Sequence, residues 1–478
     1  MLRKDSLPIA TCKLFTCKEK GGEMRRIAWA LSALALPLGG CGGGSGGGSP
    51  PVTVTPTPSP TPTPTPTPTP APVGTVSYLH IFSIQPGDGA QPGGQLLEAS
   101  DGNFYGVTAA GGVHTCRPVS PIPCGTIYRI TPGGSQQVIH SFGSSPNEGY
   151  SPGSPIQGRD GALYGVTGNG GAFGGGGTIY RLTLDGTYTT LHSFGGFDGD
   201  GLSPGGLVQG ADGNFYGVTG SGGANHCDSI PQAGGNCGTL FRMTPTGVTT
   251  ILHSFGNGRA DGFQPNGPLL LASDGNFYGT TQNGGANACS QTGATNNCGT
   301  AFRMTPDGTV TILYSFGASL ADGIAPAGGL IEGNDGALYG RTVSGGGGRC
   351  GWAFGCGTIF RMTKSGQVSL IHKFAPNSRA EGDGPSSLVL GRDGNFYGTT
   401  TSGGAFAADL NGTAFRLTPS GVYTILHSFG PLNEKPSAPT GLIQGRDGAF
   451  YGVTAYNGTL GAVGARFGAG AVFKMTVQ

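Results

Sequence analysis

Charge is scarce in this chain: of 478 residues, only 11% are Asp, Glu, Lys or Arg. Seven of the 26 Lys and Arg and three of the 25 Asp and Glu precede Cys41, which leaves the remainder at a net charge of −3. A chain this poor in cations has no footprint for nucleic acid, where affinity rests on neutralised phosphates. Tryptophan is nearly missing, with Trp29 and Trp352 only, so a core has to come from many Val, Ile, Leu, Phe and Tyr side chains. Long apolar runs are missing as well. Ile27 to Leu38 is too short to span a bilayer, which takes about 20 residues. Signatures of catalysis are equally sparse: there is no His-Glu-x-x-His and no Gly-Lys-Ser/Thr phosphate loop. Within the repeats the Gly-x-Ser-x-Gly spacing occurs only at Gly149 to Gly153 and Gly201 to Gly205, where a Pro follows the Ser in a connection between blades, not in a strand-to-helix elbow.

What is abundant is Gly (97) and Pro (35), at a level that without periodicity would mean disorder. Periodicity decides otherwise. Asp-Gly-Asn-Phe-Tyr-Gly at Asp101 returns, with Ala for Asn or Leu for Phe, at Asp160, Asp212, Asp274, Asp335, Asp393 and Asp447. Repeats at this period indicate an array or a propeller. Each unit has four strand-like runs: one before the phrase, the phrase itself after its Asp-Gly turn, then Gly-Thr-x-aromatic-Arg-x-Thr as at Gly125 to Thr131, and a last run ending in Leu-His-Ser-Phe or a variant. The expected fold is all-β, a seven-bladed β-propeller of four-stranded antiparallel blades over residues 75–478. The last run occurs at Tyr78 to Phe82 before any complete unit, and the chain stops at Gln478 just after a third strand. A ring resolves this when the N-terminal strand completes the last blade, which removes the exposed edges of an open solenoid.

Met24-Arg25-Arg26 followed by the apolar run has the layout of a secretory signal over residues 24–40. Leu38-Gly39-Gly40-Cys41 resembles a bacterial lipobox, so Cys41 is expected to carry a lipid and tie the chain to a membrane. The bland alternative is an ordinary signal with a chance cysteine. Gly42 is not the Asp of an inner-membrane retention signal, which favours export to the outer membrane or cell surface. Residues 1–23 read as a mis-assigned start or an extended leader. Residues 41–74 form a linker, Gly/Ser-rich and then a Thr-Pro alternation that rises as a polyproline II spacer at about 3.1 Å per residue.

Eight cysteines fall between the second and third strands, pairing by spacing as Cys116/Cys124, Cys227/Cys237, Cys289/Cys298 and Cys350/Cys356. In an exported chain this reads as four local disulfides, each worth roughly 2.5 kcal/mol by loop entropy. Zinc is the alternative, with His114 or His226 as a third ligand.

On the same face, the connections to the next blade carry an acid before a Pro: Asp88, Glu148, Asp200, Asp261, Asp322, Asp383 and Glu434. They cap tight turns, or they ring the channel mouth and bind a cation such as calcium, with Asp198 and Asp200 the most acidic instance. No other cofactor is expected.

The recurrent Asp of the phrase and the recurrent Arg of the third run (Arg129, Arg181, Arg242, Arg303, Arg361, Arg416, with Lys474) are expected to pair within each blade. The phrase's closing glycine is expected where neighbouring blades converge. Departures from the repeat on this loop face single out one blade: Arg341 replaces a Val or Thr, and Arg349 and Trp352 lie in its cysteine loop. An aromatic with two guanidinium groups suits a sugar or acidic glycan.

Taken together, Asp-Gly-Asn-Phe-Tyr-Gly, the following Gly-Gly (Gly111-Gly112, Gly222-Gly223), Gly-Thr-Ile-Phe-Arg-Met-Thr and Leu-His-Ser-Phe-Gly resemble the bacterial GloVer tandem repeats. They also resemble members of the choice-of-anchor proteins. The resemblance implies an exported repeat protein and transfers no catalytic residue. The expected function is a lipid-anchored, envelope-displayed module, monomeric, that binds or scaffolds a glycan or protein ligand. A polysaccharide-active enzyme on the loop face and a purely structural envelope protein are the alternatives.

Overall fold

The computed structural model describes residues 73–478 apart from 84, 86, 116–123, 146, 226–236, 288–297, 320, 348–354, 376–380, 406–410, 431–435 and 457–468. The signal, Cys41 and linker expectations lie outside the described residues. Seven antiparallel sheets are present. The first runs from Gly89–Glu98 through Phe104–Gly111 and Thr126–Ile130 to Gln136–Ser141. The same order recurs to the last, Ser437–Gln444, Phe450–Tyr456 and Ala471–Val477, whose fourth strand is Gly74–Ile81 from the start of the propeller. In that pairing Tyr78 lies opposite Phe473. The molecule is therefore a closed seven-bladed propeller.

Strand burial follows the order within a blade. Third strands such as Thr126–Ile130 are buried at every position except the recurrent Arg, as suits a strand covered on both faces. Outermost strands are only half buried. Each outermost strand carries a bulge at the Leu or Ile before its His or Tyr, as at Leu191 between the Thr190–Tyr180 and His192–Ile179 pairs, and a bulge re-aims the side chain beside it.

The six-residue phrase is explained position by position. Its Asp accepts a hydrogen bond from the Tyr hydroxyl four residues on, at 2.8 Å for Tyr105 and Asp101. Burial pushes the Tyr105 hydroxyl up to about 12, and the Asp101 bond adds to the shift. The Tyr ring stacks on the phrase's Phe in the next blade: Tyr164 on Phe215 at 4.2 Å, Tyr216 on Phe277 at 4.3 Å, and Tyr451 on Phe104 at 4.1 Å across the closing seam. Such pairs add about 0.5–1.5 kcal/mol beyond their buried area.

The phrase's closing glycine corrects an expectation. A Cβ on Gly106 would fall 2.3 Å from the Tyr128 hydroxyl oxygen. The space is filled by the aromatic ring of the same blade's third strand, so no approach of a neighbouring blade is needed to explain this glycine.

A second set of contacts joins the blades where each connection enters its innermost strand. The residue before the Pro has positive φ in every blade: Gln91, Ser151, Ser203, Gln264, Ala325 and Ala438 at 53–58°, and Gly384 at 60°. L-residues avoid this region, and more so before proline. The strained N–H is held by the preceding blade, as Ser203 donates to the Gly176 carbonyl at 2.8 Å, Gln264 to Cys237 at 2.7 Å, and Gln91 to Ala469 at 2.7 Å across the seam. The Pro that follows packs on the glycine of Gly-Thr. A Cβ on Gly125, itself at φ +91°, would meet Pro152 Cδ at 2.9 Å and the Thr108 carbonyl at 2.3 Å.

On the opposite face, N–H groups at the turn before the phrase reach into the next blade. Arg159 donates to Gln209 Oε1 at 2.9 Å, Arg392 to Gln444 Oε1 at 2.9 Å, and Arg446 to Glu98 Oε2 at 2.8 Å. The last of these closes the ring.

Candidate ligand-binding site

Where the seven innermost strands converge they enclose an axial cavity of about 580 Å³. Every blade contributes to its wall, through Gln95, Ser154, Leu207, Pro268, Leu330, Ser386 and Thr440 among others. Leucines and isoleucines alternate with backbone and small hydroxyl side chains because the innermost strands carry their large residues toward the blade interfaces. The volume lies within the usual range for small-molecule sites, about 300–1,000 Å³.

One charged side chain lines this cavity, that of Arg341. Sequence comparison among the repeats places it on the loop face with Arg349 and Trp352; the structure places it elsewhere. It pairs with Ile359 in the middle of Leu338–Gly345, where the two-residue period of the strand turns its side chain to the sheet face that meets the next blade, as for Val218 at the equivalent position, and its length carries it to the cavity wall. Its Nη1 donates to the Pro385 carbonyl of the next blade at 2.7 Å. A Cβ on Gly328 would fall 2.7 Å from Nη2, so the glycine makes room for the guanidinium. Burial alone pulls the Arg341 pKa down to about 10, which leaves it charged at neutral pH. No carboxylate of the described residues lines the cavity with it.

Of the acids before the Pro, Asp88, Glu148, Asp200, Asp261, Asp322 and Asp383 do not line this cavity, which corrects the notion of a carboxylate ring at its mouth; Glu434 lies outside the described residues. Glu148 meets His140 Nε2 at 2.6 Å and accepts from the N–H groups of Gly143 and Ser144 at 2.8 and 2.7 Å. Asp200 is 4% exposed, accepts from Gly195, Gly196 and Gly201 N–H, and lies 3.9 Å from His192 Nε2. Asp261 meets His253 at 3.1 Å, and Asp322 meets the Tyr314 hydroxyl at 2.9 Å. In the sixth connection the partner of His372 is Glu381, at 3.0 Å, and not Asp383. Burial pushes the Glu148 and Asp200 carboxyls up, but the His and N–H donors outweigh it and hold both below their ordinary values. These are turn caps with their acceptor positions occupied. Asp198 is exposed, and no group of three or more His, Cys, Asp or Glu that could hold a metal occurs among the described residues.

The remaining candidates divide plainly. Cys124, Cys237, Cys298 and Cys356 are buried at the entry to the third strands; their partners by spacing, Cys116, Cys227, Cys289 and Cys350, lie outside the described residues, as do Arg349, Trp352 and His226. His114 is partly exposed in the loop after the second strand of the first blade. Ser386 and Thr440 escape a sequence reading because they follow the Pro, where the repeats differ in length by one residue.

The sequence profile of the Gloeobacter/Verrucomicrobia repeat matches residues 68–292, 115–354 and 288–478. The chain belongs to this repeat family. No curated protein matches it. Among solved structures, this repeat protein is similar to the extracellular domain assigned to the hybrid two component system BT4673 from B. thetaiotaomicron, with 13% identity, 83% of this chain covered and a TM-score of 0.50. An extracellular domain of BT4673 assigned to a one component system is similar at 12% identity, 84% coverage and a TM-score of 0.48. The chain spans 42% of the length of each of these domains. The PQQ-bound aldose sugar dehydrogenase from Streptomyces coelicolor is similar at 15% identity, with 85% of this chain and 98% of that chain covered and a TM-score of 0.38. At these identities the likeness is one of fold. No helix among the described residues is long and apolar enough to cross a membrane.

Proposed function

We propose that this repeat protein is an exported, lipid-anchored binding module that takes a glycan or protein ligand at its axial cavity. The observation that supports this reading best is the cavity itself, of about 580 Å³, built by all seven blades and mixing apolar side chains with hydroxyls and one cation. Export is supported by the signal-like segment before Cys41 and by the naming of a similar structure as an extracellular domain. Lipidation of Cys41 would tether the propeller, and the four cysteine pairs would form disulfides in an oxidising compartment.

Glycan-array binding by the purified chain, followed by product analysis of each hit, tests the proposal. Binding without turnover is expected. Release of product would replace the reading with a polysaccharide-active enzyme, and silence on glycans and envelope proteins alike would leave a structural role. Cys41→Ser is expected to move the protein from the membrane fraction to the soluble exported fraction.

A further inference from the structure

Position 341 is Val, Thr or Arg across the blades: Val107, Val166, Val218, Thr280, Thr399 and Val453 stand where the fifth blade has Arg341. A guanidinium placed in a largely apolar cavity loses hydration that its one bond to the Pro385 carbonyl replaces only in part. Neutral residues fill this seat in the six other blades, so the fold itself does not require the charge. The cavity offers no carboxylate among the described residues to balance it.

The unbalanced charge is also shaped. With Nη1 committed to Pro385, the Nε and Nη2 hydrogens remain as a planar fork, the geometry that receives a carboxylate on two parallel bonds. A single cation balances a monoanion, whereas a phosphomonoester dianion would leave a net negative charge at low dielectric. Thr440 lines the same cavity, and its hydroxyl is buried with no hydrogen-bond partner among the described residues. A ligand bearing both a carboxylate and hydroxyl groups satisfies both features. Gly94 and Gln95, exposed on the cavity wall, mark where it meets solvent.

We infer that the axial cavity is a sugar-acid site, in which the Nε and Nη2 edge of Arg341 binds the carboxylate of a hexuronic acid residue and Thr440 hydrogen-bonds a ring hydroxyl. The inference rests on the axial cavity being the ligand site. It assigns the ligand class, and free sugar acids and uronate-terminated glycans share the chemistry.

Titration calorimetry on the purified full chain, with glucuronate and galacturonate set against glucose, galactose, acetate and inorganic phosphate, tests it. The uronates are expected to bind at least tenfold tighter than the neutral sugars and phosphate, with affinity falling as salt rises. Arg341→Gln is expected to lose at least tenfold in uronate affinity, Arg341→Lys to retain part, and Thr440→Val to lose roughly threefold to tenfold, each at an unchanged thermal midpoint. Thr440→Val keeps the test valid where Arg341→Gln alters folding. Uronate binding indifferent to both substitutions overturns the inference, as does the failure of every acid to bind. Neutral-glycan binding that Arg341→Gln leaves intact but a cavity-filling Leu388→Trp abolishes overturns the acid assignment while the cavity reading stands. Glycan binding untouched by Leu388→Trp removes the cavity reading as well.

Discussion

Arg181 Nη2 lies 2.7 Å from Asp160 Oδ2, a contact made where the phrase reads Asp-Gly-Ala. The same is true of Arg361 with Asp335 at 2.8 Å and Lys474 with Asp447 at 2.9 Å. Where the phrase reads Asp-Gly-Asn, the Asn amide takes that oxygen instead: Asn103 on Asp101 at 2.8 Å, Asn214 on Asp212 at 2.6 Å, Asn276 on Asp274 at 3.0 Å and Asn395 on Asp393 at 2.7 Å. A single side chain decides whether the third-strand cation is needed to satisfy the turn.

Asn103→Ala is therefore expected to hand Asp101 to Arg129, whose Nη2 now donates to Gln137 Oε1 at 2.7 Å. Because one partly exposed bond replaces another, stability should change by less than about 0.5 kcal/mol. A crystal structure of the variant with Arg129 still on Gln137 would show the exchange to be wrong.

Ring closure predicts a sharp boundary for truncation. Gly74–Ile81 supplies the outermost strand of the last sheet, so a chain beginning at Ser83 exposes the edge of Ala471–Val477. Its unfolding free energy should fall by several kcal/mol through lost burial alone. A chain beginning at Thr69 keeps the strand and should melt within about 1 °C of the longest form. Equal melting of the two truncations in calorimetry would contradict the role given to the strand.

The blade count, the strand order and the seam were legible because every unit repeats the same period-two runs and because a surplus strand at one end matches a missing strand at the other. The axial site was not. Arg341 is visible as a departure from Val or Thr, but a repeat comparison does not show that a long side chain in a seat between blades extends to the axial cavity. The acids before the Pro were legible as turn caps, yet their His partners eight or nine residues earlier were hidden, because the bulge at Leu or Ile that aims each His has no composition of its own. The cation exchange between Asn and Arg was hidden for a related reason: both versions of the phrase make the same turn.

The capped acids predict behaviour in acid. Asp88, Glu148 and Asp200 are all held below their ordinary values despite burial, by His and N–H donors, and the Asp of each phrase is lowered in the same way by its hydrogen bonds. Folded carboxyls below the unfolded values of about 3.9 for Asp and 4.3 for Glu add stability that is full above those values. It is lost as pH falls through the depressed folded values. The melting temperature should thus be flat in this respect above about pH 5 and drop steeply below pH 4. Glu148→Gln should cost about 1–2 kcal/mol at pH 7 and flatten the drop, whereas a parallel acid profile for the variant would refute the assignment.

The residue before each Pro predicts an effect of opposite sign. Ser203 sits at φ 56° and Ala325 at φ 53°, and the sixth blade already has Gly384 there at φ 60°. Left-handed geometry costs an L-residue about 1–2 kcal/mol, while glycine gives back about 0.5–1 kcal/mol through the freedom of its unfolded chain. Ser203→Gly and Ala325→Gly should accordingly each stabilise the fold by about 0.5 kcal/mol, since the backbone bonds from Ser203 to Gly176 and from Ala325 to Cys298 do not involve the side chains. Ser203→Val adds a branch at Cβ in the same seat and should destabilise by about 1–2 kcal/mol. Denaturant unfolding of the three variants checks both signs, and a glycine that destabilises at either position would mean that the inter-blade bond does not hold a strained residue in place.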